Sequence, residues 1–154
     1  MDRAGRGLSV ARAAREAGPG VRYLTVLYDA DCPVCTAIRN WLIRQRQLVP
    51  LRLVPAASAE AWRKFPKLAH SETLREITVV GDGGQVWRGT DAFIVCLWAL
   101  AEHRSKAEWL ATPAGRPFAG AAMNTAAAVR HAVRTNSEAE SGEPACDDHC
   151  SAPR

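Results

Sequence analysis

Residues 23–42 read YLTVLYDADCPVCTAIRNWL, and this stretch decides the fold. Its first part, YLTVLYD at 23–29, is a short run of β-branched, aromatic and aliphatic residues, with the turn signal Gly18-Pro19-Gly20 ahead of it. It reads as a buried strand. Val34, Ala37, Ile38, Trp41 and Leu42 then recur at helical spacing behind Pro33. Proline is favoured in a first helical turn, where its missing N–H has no partner to lose. Arg44 and Arg46 suit the negative pole of the helix dipole. The spacing predicts a helix over 33–47.

Two cysteines, Cys32 and Cys35, stand where the strand turns into the helix. The C-x-x-C spelling alone is weak, because half a zinc site has the same spacing. Its position carries the weight. At a helix N-terminus a cysteine faces unsatisfied backbone N–H groups and the positive dipole end, which favour a thiolate over a thiol. Only the thiolate attacks a disulfide sulfur. Cys35 lies one turn further in, placed to attack the mixed disulfide formed on Cys32 and release the reduced substrate. Asp29 and Asp31 stand beside the pair. Either has the chemistry to move a proton to or from Cys35. For Asp31 the competing reading, a helix cap, is the stronger. For Asp29 a solvated strand end and a proton-transfer role stand level.

Working outward, 51–54 is a second short strand closed by Pro55, and 58–68 is a weaker helix interrupted by Pro66. Residues 76–80 and 85–88 are two strands joined by Gly81-Asp82-Gly83-Gly84, a link suited to a tight hairpin. Thr90-Asp91 reads as the N-cap of an all-round apolar helix over 92–103, which should be buried. Residues 113–117 form a loop. Phe118, Ala122, Ala126, Val129 and Val133 mark a last amphipathic helix. The order is an α/β plan of the thioredoxin-like kind: a β-α-β unit, a β-hairpin and a helix, with an extra C-terminal helix.

Asp29-Ala30-Asp31-Cys32-Pro33-Val34-Cys35 resembles the D-x-x-C-x-x-C signature of the DCC family of thiol-disulfide oxidoreductases. The hairpin ITVVGDGGQVWRG and the following Thr90-Asp91-Ala92 extend the likeness over roughly residues 23–134. The resemblance implies a thioredoxin-like fold with Asp29, Cys32 and Cys35 as signature residues. Two departures stand out. Ala30 replaces the glycine the family commonly carries, and Ser71–Arg75, ahead of the third strand, lacks the proline that thioredoxins and glutaredoxins place there.

The 154 residues and a hydrophobic share of 47% allow one domain with a real core, flanked by extensions. Residues 1–22 form an Arg/Ala-rich leader of net charge +3, read as flexible, and 23–134 form the catalytic domain at +5. Residues 135–154 form an acidic tail at −4, rich in Ser, Glu and Gly and read as disordered. The basic residues of the body are scattered singly, which argues against nucleic-acid binding. No apolar run approaches a membrane span, and the leader lacks the apolar core of a secretory signal. The expected setting is the reducing cytoplasm.

The five cysteines are an odd number, so they cannot all pair within one chain. Cys96, between Val95 and Leu97, reads as packing. Cys146 and Cys150, in CDDHC, have three readings: incidental, an accessory redox pair, or a metal site. The leading expectation is a dithiol–disulfide oxidoreductase of the protein-disulfide reductase type. It needs no bound cofactor and no metal; its partners are a disulfide-bearing protein or small thiol substrate and an external thiol reductant. Two alternatives stand: a metal-binding module closing Cys32 and Cys35 with Cys146 and Cys150, and a non-catalytic thioredoxin-like adaptor.

Overall fold

A computed structural model describes residues 20–140, with side chains described through residue 136. The leader up to residue 19, and Cys146 and Cys150 with the tail beyond residue 140, lie outside the described residues. β1 (Leu24–Tyr28) leads into helix α1 (Pro33–Arg44), which crosses over to β2 (Leu51–Pro55). Two short helices follow, α2 (Ala59–Lys64) and α3 (His70–Thr73). The hairpin strands β3 (Thr78–Gly81) and β4 (Val86–Arg88) precede α4 (Thr90–Trp98), α5 (Arg104–Leu110) and the long α6 (Arg116–Glu140).

The sheet order is β2-β1-β3-β4. β1 pairs β2 in parallel, Leu24 opposite Leu51 and Leu27 opposite Val54. On its other side β1 pairs β3 antiparallel, Leu24 opposite Gly81, and β3 pairs β4 antiparallel. This mixed sheet with helices on both faces is the thioredoxin-like fold. β1 is an inner strand, so its apolar run is needed on both faces. Leu24 and Val26 join the larger core with Leu42 of α1, Val79, Trp87, and Ile94, Val95 and Leu97 of α4. Leu27 faces the opposite side and packs with Val54, Val80 and Ala61 of α2.

Local chemistry sets the boundaries. α1 stops at Arg44 rather than Gln47, because Gln45 is already extended. The Gln47 side chain takes over there: its Nε2 donates to Leu42 O at 3.3 Å, and its Oε1 accepts from Leu51 N at 2.9 Å. The helix over 58–68 shrinks to α2, capped by Ser58 Oγ accepting from Ala61 N at 3.2 Å and ended ahead of Pro66. In the hairpin, Gly84 holds φ +88°, a region costly for any residue with a Cβ. α4 starts at Thr90, two residues before the expected Ala92, because Gly89 at φ +55° turns the chain into it. Thr90-Asp91 is therefore inside the helix, and Gly89 occupies the cap without a side-chain bond. Cys96 is buried as expected, and burial pushes its thiol up to about 12.

α6 differs most from expectation. It runs to Glu140, so the boundary at Thr135 falls inside a helix. Its inward stripe is Ala119, Met123, Ala126 and Arg130, while Phe118 is 63% exposed and Val129 is also exposed. An alanine-rich helix has two nearly equivalent apolar stripes, and packing against α1 and α4 selects between them. α3 and α5 are additions that the sequence pattern did not show.

Candidate redox site

Cys32 occupies the N-cap of α1, the position expected for Asp31. Its Sγ accepts the Cys35 backbone N–H at 3.5 Å, and its carbonyl accepts both the N–H and the Oγ1 hydroxyl of Thr36, at 3.0 and 3.1 Å. The sulfur thus does what a capping oxygen does elsewhere: it satisfies one of the orphan donors of the first turn. Pro33 enters the first turn behind it. Asp31 is exposed, and its backbone N–H rather than its carboxylate is engaged.

That N–H donates to Asp29 Oδ1 at 3.1 Å, a side-chain turn of the kind aspartate forms with the residue two further on. The Cys32 N–H closes the same loop on Asp29 O at 3.3 Å. Asp29 therefore shapes the loop that delivers Cys32 to the helix start. Ala30 sits within it without a positive φ, so alanine fills the family's glycine position without strain. Nor is Asp29 a solvated strand end. Its Oδ2 accepts from Arg130 Nη2 at 2.6 Å, and the two side chains are 12% and 16% exposed.

Arg130 is the residue that sequence reasoning missed. From α6 it also donates to the carbonyls of Leu74 and Arg75, the segment just ahead of β3. One guanidinium thus joins the signature aspartate, the approach to β3 and the C-terminal helix. Five donors in a rigid fork allow arginine to hold such a three-way junction. A signal existed: Arg130 lies in register with Ala119, Met123 and Ala126, a charged residue on an inward stripe.

The two thiols differ. Cys32 is buried at 2% exposure and Cys35 is half-buried; both are free. Burial pushes the Cys35 thiol up to about 12, with the bond to Cys32 and the charges of Cys32 and Asp29 adding to the rise and the Arg130 charge opposing it. Cys35 opens onto a groove of about 600 Å³ at the C-terminal end of β1, walled by Val34, Ile38 and Trp41 of α1, Phe93 of α4, and Met123 and Ala126 of α6. Asp29 and Arg130 line the same groove. Crevices beyond the carboxyl ends of strands are the usual ligand position in such sheets. A second concavity of about 640 Å³, lined by Tyr23, Arg52 and Phe65, holds no cysteine.

The family model for DCC1-like thiol-disulfide oxidoreductases matches residues 26–135. The chain belongs to that family. The match takes in β1 from Val26, the CPVC turn, the hairpin and α6 through Thr135. No curated protein and no solved structure matches the chain. Membership supports thiol–disulfide redox chemistry for this oxidoreductase and thiol or disulfide substrates. Among the described residues, no helix is long and apolar enough to cross a membrane. Among them, too, no three His, Cys, Asp or Glu side chains cluster to hold a metal ion. Of the metal alternative, Cys146 and Cys150 lie outside the described residues.

Proposed function

We propose that this DCC1-like oxidoreductase is a dithiol–disulfide exchanger of the protein-disulfide reductase type. Cys32 attacks and Cys35 resolves. The observation that carries the assignment of roles is the difference between the thiols. Cys32 Sγ receives a backbone N–H at the start of α1, whereas burial holds Cys35 protonated, up to about 12. A sulfur that faces an amide suits the negative charge of an attacking thiolate.

In the first step the Cys32 thiolate forms a mixed disulfide with one substrate sulfur, and the other substrate sulfur leaves as a thiolate. Cys35 then gives up its proton and attacks the Cys32 sulfur; the Cys32–substrate S–S bond breaks, the second substrate sulfur leaves as a thiolate, and the Cys32–Cys35 disulfide forms. Asp29 shares the groove with Cys35 and acts on it electrostatically, which favours it as the base for that proton. Asp31 is the alternative carboxylate. A Cys32 sulfur with so little exposed surface admits a narrow disulfide, a small molecule or an extended segment, rather than a broad folded face. The cycle needs no bound cofactor. An external thiol reductant regenerates the dithiol, and the reducing cytoplasm is the setting that sustains it.

Turnover of a small model disulfide tests the roles. Cys32→Ser abolishes it, and Cys35→Ser accumulates a mixed disulfide on Cys32. Full activity in Cys32→Ser contradicts the assignment. Asp29→Asn slows the resolving step and Asp31→Asn leaves it unchanged; the reverse pattern assigns the proton to Asp31.

A further inference from the structure

We propose that the groove beside Cys35 admits a low-molecular-weight mercapto acid, and that this thiol restores the dithiol by attacking Cys35 rather than Cys32. The inference rests on the preceding reading, in which Cys32 and Cys35 cycle through a disulfide. It adds the class of reductant that opens that disulfide and the sulfur at which it acts.

Access separates the two sulfurs. Cys32 is 2% exposed and does not line the groove, whereas Cys35 is half-buried and lines it. Once the two are joined, a nucleophile in the groove meets the Cys35 sulfur, with Cys32 as the leaving group. Exchange depends on which sulfur is open to attack and on how readily the other departs. Cys32 is well placed to depart, because its Sγ caps α1 and receives the Cys35 backbone N–H there.

Charge selects an acid. Arg39, Arg75, Arg88, Arg116 and Arg130 line the groove against Asp29, Glu76 and Asp91. Arg130 is taken up by Asp29, Arg116 by Asp91, and Arg88 by Glu72. Arg39 and Arg75 have no carboxylate partner among the described residues.

Arg39 is the one beside the thiol. It stands four residues after Cys35 on α1, one turn along the same face, where Cβ atoms lie about 5–6 Å apart. Its guanidinium lies 5.7 Å from the centre of the Tyr28 ring, and its Nη1 donates to Asn40 Oδ1 at 2.9 Å. Its Nε is buried and lacks a hydrogen-bond partner among the described residues. A buried donor left unmade is costly, and a carboxylate is a strong acceptor for a guanidinium. A carboxylate on Arg39 brings the sulfur of a short mercapto acid to Cys35. Val34, Ile38, Phe93 and Met123 supply apolar walls for its methylene body.

The electrons balance over two mercapto acid molecules. The thiolate of the first attacks the Cys35 sulfur; the Cys32–Cys35 bond breaks, Cys32 leaves as a thiolate, and Cys35 carries the mercapto acid. The thiolate of the second attacks the sulfur of that bound mercapto acid, so the small disulfide forms and Cys35 leaves as a thiolate. The two protons given up by the mercapto acids are returned to the protein thiols as the dithiol is restored. Two electrons pass from the mercapto acids to the CPVC pair.

The test uses full-length protein with Cys146→Ser and Cys150→Ser, oxidised to the Cys32–Cys35 disulfide, so that reduction is read from the CPVC pair. Its reduction by mercaptopropionate, mercaptoethanol and cysteamine is followed by alkylation and mass. Each rate is divided by that of the same thiol on hydroxyethyl disulfide, which removes differences in nucleophilicity. The expected normalised rate for mercaptopropionate exceeds that for cysteamine by about tenfold, the lower end of what a cleft lined by one sign of charge provides. The ratio shrinks at high salt and in Arg39→Gln. Samples quenched in acid part-way and mapped by peptide mass carry mercaptopropionate on Cys35, with Cys32 free. Equal normalised rates, a preference untouched by Arg39→Gln, or an adduct on Cys32 with Cys35 free overturns the proposal and leaves the exchange function standing. A CPVC pair that forms no disulfide, or one that none of the thiols reduces, overturns both.

Discussion

Arg130 Nη2 lies 2.6 Å from Asp29 Oδ2, joining residues 101 apart in the chain and fastening α6 to the loop that presents Cys32. The pair is well covered, so both its charge and its geometry matter.

Removing one partner should therefore cost more than a surface ion pair does. Arg130→Met leaves the Asp29 carboxylate largely buried and unpaired and frees the Leu74 and Arg75 carbonyls. Breaking a buried pair in this way costs about 3–5 kcal/mol, against about 0–1 kcal/mol for an exposed one. Denaturant unfolding reads the loss. Arg130→Lys should recover only part of it, because an ammonium cannot serve the carboxylate and the carbonyls from one planar fork. A loss below about 1 kcal/mol in Arg130→Met would place the pair with ordinary surface contacts.

The resolving step should quicken with pH. Cys35 attacks only as a thiolate, and its thiol is pushed up to about 12, so the reactive fraction rises about tenfold per pH unit through the neutral range. In a preformed mixed disulfide Cys32 carries no charge, but burial still holds the Cys35 thiol above its ordinary 9.0, so release should keep quickening through the neutral range. Because the Arg130 charge opposes the rise, Arg130→Met should slow release at any given pH. A plateau near pH 8 would contradict the state assigned to Cys35.

Cys96 should be dispensable for exchange and visible in alkaline stability. Burial raises its thiol from the ordinary 9.0 to about 12 in the folded protein. Between those values the unfolded chain has lost the proton and the folded chain keeps it, so stability falls as pH rises above about 9. Below that the contribution is constant. Thermal unfolding followed from pH 7 to 10 should show this fall, shallower in Cys96→Ala, with disulfide exchange unchanged at pH 7. Loss of exchange in a folded Cys96→Ala protein would mean that the thiol takes part.

A methyl group at Gly115 should loosen α6. An added Cβ would lie 2.2 Å from Trp109 O and 2.8 Å from Leu110 Cα, both backbone atoms that cannot swing aside. Gly115→Ala should lower the unfolding midpoint and, by shifting the helix that bears Arg130, slow the resolving step. An unchanged midpoint would show that the α5–α6 turn gives way freely.

The parts of this site that are local in sequence were the legible ones. YLTVLYD reads as a buried strand and CPVC behind it as the start of a helix, so the thioredoxin-like plan and the dithiol follow from a few adjacent residues. The hairpin was equally plain from its glycines. What escaped depends on contacts between distant segments. Cys32 displaced Asp31 from the N-cap because Asp29 already holds the Asp31 N–H and turns the loop one residue further. α3, four residues long with a polar sequence, carries no periodicity to read. The facing of α6 depends on which of two alanine stripes meets α1 and α4. Trp41, Trp62 and Trp109 are all exposed, and Trp41 forms a wall of the groove.

The most direct test of the account is a redox titration of the reduced protein in glutathione buffers, with free thiols alkylated and counted by mass at each potential. Cys32 and Cys35 should lose alkylation together in one two-electron transition, about 30 mV for each tenfold change in the ratio, while Cys96 stays reduced throughout. Cys32 and Cys35 both remaining alkylatable in fully oxidised buffer, or titrating independently of one another, would contradict the claim that CPVC is an exchanging dithiol.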